Sequence, residues 1–221
     1  MTAPAPPADV PARPSASAQR LIATLGGFGA LAGLLIVSVF VVTQPTIRAN
    51  KAAALAAAIS EVLAAPDRYD TLYVTADALT RELPSGANAE TAEAVYLGWR
   101  GEAPVGFAVV ANGSGFQDNI RLIFGYDVSS AQLLGMLVLE SKETPGLGDK
   151  IYKDAEFVAQ FSQVHAPLVG VKEGQGNGLP TELVMITGAT ISSRAVIKAI
   201  NATLERVGPL LAAYDVQEPR P

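Results

Sequence analysis

Residues 21–43 carry no charge, and their leucines, isoleucines, valines and phenylalanines are broken only by small or hydroxyl side chains. Wound as a helix at about 1.5 Å per residue, this run reaches roughly the 30 Å of a bilayer's hydrocarbon. It is longer than the apolar region of a cleaved signal peptide, about 7–15 residues, so it predicts a retained transmembrane helix. Arg13 and Arg20 precede it and Arg48 and Lys51 follow, so flanking charge nearly cancels and does not set the orientation. Gly26, Gly29 and Gly33 make a small-residue strip that admits a close partner helix, although glycine is also simply common in membrane helices.

Beyond the apolar run the period changes. Residues 48–65 are rich in alanine and leucine and stop at Pro66, which predicts a helix leading away from the bilayer. Strand-like segments follow at 94–99, 105–111, 120–126, 133–140 and 183–186, and the short gaps between the early ones favour antiparallel hairpins. Phe157, Val158, Phe161 and Val164 recur at helical spacing across 154–164, as do Val196, Ile200, Leu204 and Val207 across 191–207. Gly208 and Pro209 are expected to end the second of these helices. The prediction is an α+β fold: one N-terminal transmembrane helix, then a domain with a largely antiparallel sheet and flanking helices. Its expected organisation is a flexible tail at 1–20, the span at 21–43, a helical stalk at 44–66, the domain at 67–214 and a tail at 215–221.

Composition narrows the chemistry. The formal net charge of −5 comes without a basic cluster, so the electrostatic term that dominates nucleic-acid affinity has no source, and no nucleic-acid partner is expected. With no cysteine in 221 residues there is no thiolate nucleophile and no cysteine-held zinc or iron–sulfur site. The single histidine, His165, sits in an apolar stretch without a carboxylate pattern and reads as structural. No metal site and no catalytic constellation is expected, so redox work would need an organic cofactor.

Two motifs remain. Thr187-Gly188-Ala189-Thr190-Ile191-Ser192-Ser193 stands between a strand and a helix, where unpaired first-turn amides and small residues suit a phosphate. Thr190 or Ser192 is expected to cap that helix. Alone, such a segment is more often a capped helix with no ligand. Glu143-Thr144-Pro145-Gly146-Leu147-Gly148-Asp149-Lys150 follows the strand ending at Glu140; Pro145 fixes one dihedral, and Gly146 and Gly148 permit positive φ, so the loop can wrap a flat ligand or merely turn the chain.

Together with an N-terminal anchor, the Gly113-Ser114-Gly115 turn and the helix bearing Phe157 and Phe161, these motifs resemble one FMN-binding family. It contains the G subunit of the Rnf electron transport complex and the C subunit of the sodium-translocating NADH:quinone reductase. The loop and its aromatic helix look closer to the Rnf protein.

The resemblance implies covalent FMN, held as a phosphoester on Thr190, with Thr187, Gly188 and Ala189 around the phosphate and Glu143, Thr144 and Leu147 near the flavin ring. It further implies an electron relay between ferredoxin and NAD pools in a multisubunit, ion-translocating membrane complex, with the soluble domain on the extracytoplasmic side. No base flanks Thr190 in the sequence, so a separate flavin transferase is expected to form the bond. Family members usually carry Asp three residues before the motif, where this chain has Val184. The competing expectations are the C subunit of the quinone reductase, a stand-alone flavoenzyme, and a membrane-tethered assembly module without cofactor.

Overall fold

The computed structural model describes residues 17–89 and 91–216. The tail expected at 1–20 lies outside these residues up to position 16, and that at 215–221 from position 217 onward. The chain divides into two compact units, Met1–Lys51 and Ala52–Pro221.

The apolar run and the alanine-rich segment after it form one helix, α1 (Ala18–Val62), with Pro45 inside it. Its apolar part is long enough to cross a membrane, and none of that stretch is buried within the protein. Ala64 and Ala65 take positive φ and Pro66 follows, which ends the helix.

A six-stranded antiparallel sheet follows: β1 (Arg68–Val74), β2 (Leu79–Thr80), β3 (Ala94–Arg100), β4 (Ala103–Ser114), β5 (Asn119–Asp127) and β6 (Gln132–Glu140), in the order β2-β1-β3-β4-β5-β6. Four of these strands match the period-2 pattern. β1 and β2 escape it because β1 carries charge into the sheet: Asp70 accepts a hydrogen bond from the Trp99 indole at 3.0 Å, and the Arg68 guanidinium lies 4.6 Å from the Trp99 ring centre. A small parallel pair, β7 (Val169–Val171) and β8 (Glu182–Val184), and a long helix, α4 (Thr190–Ala213), complete the second unit. The structure is thus an apolar membrane-length helix followed by an α+β domain with a largely antiparallel sheet.

Alternation along the strands builds two cores. Phe107, Val109 and Ala111 of β4 and Ile120, Leu122 and Phe124 of β5 are buried with Val196, Ile200 and Val207 of α4. The residues between them, Ala108 and Ile123, are buried with Ala58, Ile59, Val62 and Leu63 at the end of α1. Helix α4 comes close to β4 at Gly113, where an added Cβ would stand 2.7 Å from that of Ala199.

Two expectations for the helices are overturned. Gly208 and Pro209 do not end α4, which continues to Ala213. Interior proline costs about 3 kcal/mol, but Val207 and Leu211 are both buried on the core, and their packing carries the helix through. The predicted helix at 154–164 is two short pieces, α3 (Ala155–Ala159) and a 3₁₀ turn at Gln160–Ser162, and a further short helix, α2 (Lys150–Lys153), stands just before it. Asp154 restarts the chain by accepting the Glu156 and Phe157 amides, and the apolar face survives because Phe157, Phe161 and Val164 are still buried. Phe157 and Phe161 meet edge to face at 5.2 Å. Phe161→Ala is expected to cost about 3–5 kcal/mol in a chemical denaturation experiment, because the ring is wholly enclosed.

Candidate flavin site

The Thr187–Ser193 segment turns into α4 through Gly188, whose φ of +84° belongs to the left-handed region that glycine enters without cost. Thr190 is the first residue of the helix and Ala189 precedes it as N-cap, with no side-chain cap. Neither Thr190 nor Ser192 caps the helix, contrary to expectation. Ser193 folds back instead, donating to the Ala189 carbonyl at 2.9 Å and accepting from the Ile186 amide at 3.2 Å. Ser192 is aimed elsewhere. The backbone amides of Thr190, Ile191 and Ser192 meet no acceptor among the described residues. They stand at the positive end of a helix of 24 residues. Thr190 is half-buried, and among the described residues its hydroxyl donates to the Ile186 carbonyl at 3.4 Å, while Thr187 is exposed with its hydroxyl 3.5 Å from Glu173.

The second motif lies against this helix start. Glu143 is buried at 6 % exposure. One carboxylate oxygen accepts the Ser192 hydroxyl at 2.5 Å, and the other accepts the Gln117 amide at 3.0 Å from the β4–β5 hairpin. Thr144 reaches the same hairpin through the Gln117 side chain at 3.0 Å. Asp149 shapes the loop, accepting the Gly146 amide at 2.7 Å and pairing with Lys153 at 2.7 Å. Leu147, at the loop's tip, is exposed.

Three elements distant in sequence therefore meet: hairpin 114–119, loop 141–149 and the start of α4. Each presents a large exposed apolar side chain: Phe116 and Ile191 stand next to the contacting Gln117 and Ser192, and Leu147 lies four residues past Glu143. Phe116 and Ile191 were not expected here. Gly115 was the sequence signal beside Phe116, since a Cβ there would overlap the Glu143 carboxylate, and Ile191 lay within the Thr187–Ser193 motif. Val184 is exposed, and the Gln160 side chain holds its backbone on both sides, at 2.7 and 3.2 Å. Glu182 does not stand in for an acid at that position, because its carboxylate accepts the amides of Asn177, Gly178 and Leu179.

Comparison with known proteins bears on what this junction is. A family described as FMN-binding domain matches residues 115–205, which begin at the hairpin and end within α4. The G subunit of the ion-translocating oxidoreductase complex of Yersinia pestis is 31% identical over 82% of this chain and 86% of its own length. That of Photorhabdus laumondii is 32% identical over 81% and 85%. The chain belongs to this G-subunit family. With the Shewanella amazonensis member the match is 37% identical but spans 50% of this chain and 52% of that protein. Among solved structures, NqrC of Shewanella oneidensis superposes with a TM-score of 0.60 at 16% identity, covering 75% of this chain and all of that one. The C subunit of the Na⁺-translocating NADH-quinone reductase from Parabacteroides distasonis gives 0.54 at 18%, covering 66% of this chain and 78% of its own. The chain and these two solved proteins thus share a fold.

Two carboxylates of the junction are held below their ordinary values. Burial presses Glu143 upward, but the Ser192 hydroxyl and the hairpin amides together outweigh it. For Asp149 the Lys153 hydrogen bond dominates. A carboxylate depressed on folding stabilises the fold above its unfolded pKa, about 4, and loses that contribution as pH falls through the lower folded value. The thermal midpoint is expected to drop below about pH 4. Glu143→Gln should flatten part of that drop in a pH series of melting curves, and an unchanged slope would mean Glu143 contributes none of it.

Proposed function

We propose that this chain is the electron-carrying member of a membrane-bound, ion-translocating oxidoreductase complex working between ferredoxin and NAD, and that it holds FMN as a phosphoester on Thr190. The supporting observation is the meeting of two complementary surfaces. Free amides at the head of α4 suit a phosphate, and beside them Phe116, Leu147 and Ile191 offer apolar cover for a flat ring system. An added Cβ at Gly188 would meet nothing within 4 Å, so the approach to Thr190 is open on that side. The residues present therefore fit the group.

Thr187, Gly188 and Ala189 line the approach to the phosphate, and Leu147 and Thr144 flank the ring. Bound FMN supplies one- and two-electron redox chemistry, while the protein sets its orientation and surroundings. The chain acts as acceptor of the cofactor and works as part of a complex. No carboxylate or imidazole is hydrogen-bonded to the Thr190 hydroxyl among the described residues. A flavin transferase therefore has to supply the base: it takes the threonine proton as the threonine oxygen bonds to the flavin-side phosphorus of a flavin dinucleotide donor, and the donor's phosphoanhydride bond breaks, releasing a nucleoside monophosphate. A tether also removes dependence on free cofactor, which favours a domain outside the cytoplasm, beyond a span at 21–43 and a stalk at 44–66. Reporter fusions at the C-terminus check that side, and a cytoplasmic reporter signal would reverse it.

Mass spectrometry of the peptide containing Thr190, from cells that also express the transferase, tests the proposal. One FMN phosphoryl adduct on that residue is expected, and an unmodified peptide would overturn the reading. Thr187→Ala should lower the labelled fraction without abolishing it, because its hydroxyl lines the approach and does not form the bond.

A further inference from the structure

The junction contains a contact that attachment at Thr190 does not require. Glu143 and Ser192 are 49 residues apart, yet their side chains meet at 2.5 Å in a buried position, with Ser192 at 2 % exposure. Burying a carboxylate is costly unless its lone pairs are satisfied. Here both oxygens are occupied, one by α4 and one by the β4–β5 hairpin. Two glycines clear the space: a Cβ on Gly148 would also come within 2.9 Å of the Ser192 hydroxyl, and one on Gly115 would overlap the carboxylate from the hairpin side. A contact that holds three chain segments at once fixes their spacing, and each segment carries one of the exposed apolar side chains.

We infer that Glu143 and Ser192 form a clasp that positions the flavin ring by holding Phe116, Leu147 and Ile191 at a fixed mutual spacing. The inference rests on the proposed FMN attachment and deepens it. Glu143 and Ser192 are positioning residues. Their side chains are spent on one another and on the hairpin, and the exposed apolar trio is left to meet the ring. The phosphoester alone leaves the ring free to swing about the bonds of the ribityl chain. The clasp supplies the second constraint.

The experiment uses the full chain, flavinylated in cells with the transferase, and reads the fluorescence anisotropy and visible circular dichroism of the attached flavin. Ser192→Ala and Glu143→Ala should keep the covalent label but lower the anisotropy and weaken the visible dichroism, as for a ring in solvent. Glu143→Gln should stay near wild type in both, since a carboxamide can still accept the Gln117 amide and meet Ser192. Ser192→Thr should rescue the alanine variant. Where Ser192→Ala does not fold, as judged by far-ultraviolet dichroism, Ser192→Cys carries the same expectation through its weaker donor. Labelled, folded Ser192→Ala or Ser192→Cys and Glu143→Ala with wild-type anisotropy and dichroism would overturn the clasp. A wild-type chain that takes up no flavin would instead overturn the FMN proposal.

Discussion

Full-length protein carrying Thr190→Ala, made alongside the flavin transferase, will show no flavin fluorescence after denaturing electrophoresis, while wild type keeps a fluorescent band. The expected effect is all or none. A non-covalent flavin is lost on denaturation, and alanine offers no oxygen for the phosphoester. The neighbouring hydroxyls are poor substitutes. Ser192 and Ser193 are buried and hydrogen-bonded inward, and Thr187 lies before the Gly188 turn, outside the helix start. The fold should survive, because among the described residues the Thr190 hydroxyl's hydrogen-bond partner is the Ile186 carbonyl at 3.4 Å, longer than a well-formed hydrogen bond. Compared with unflavinylated wild type, its loss is expected to cost no more than about 1 kcal/mol in denaturant titration. A fluorescent band retained by the variant would move the bond to another residue and remove the assignment of Thr190.

Gly125→Ala is expected to do the opposite, weakening the fold while leaving the chemistry at Thr190 intact. Gly98 of β3, Gly125 of β5 and Gly135 of β6 open a trough in the sheet into which the end of α1 settles. A Cβ at Gly125 would overlap the Val62 carbonyl, and one at Gly98 would stand 2.6 Å from a Leu63 methyl. Val62 and Leu63 are buried there with Ala108 and Ile123, so the added methyl has backbone in its way and no flexible side chain to displace. Overpacking of this kind costs about 1–3 kcal/mol, and obstruction by main chain places Gly125→Ala toward the upper end. Gly208→Ala is the matching control. That glycine lies inside α4 with nothing near its Cβ position, so alanine there should stabilise by up to about 1 kcal/mol. Equal melting temperatures for the two variants would refute the trough. Labelling of Gly125→Ala at Thr190, under conditions where it is folded, should match wild type.

Period and punctuation carried much of this protein in its sequence. The apolar stretch of α1, the strands β3 to β6 and the amphipathic start of α4 follow from local alternation, because each buries one face and must repeat apolar residues at its own period. The two motifs were also legible, as glycine- and hydroxyl-bearing breaks between periodic segments. Local pattern failed where distant side chains settle a local matter. β1 is a strand because Trp99 takes up its Asp70 and Arg68. α4 outlasts Pro209 because Val207 and Leu211 are held by the core. Ser192 does not cap its helix because Glu143 claims the hydroxyl.

The sequence by itself determined an anchor-length helix, an antiparallel α+β domain and the two segments of the candidate site, since each depends on neighbours a few residues apart. Only the tertiary structure decided that loop 141–149, the head of α4 and the hairpin carrying Phe116 share one surface. It also turned Glu143 inward as a brace and left Leu147 and Ile191 outward. A one-dimensional pattern records which face a residue takes but not which distant partner it meets, and a buried carboxylate's place is settled by the donors that surround it.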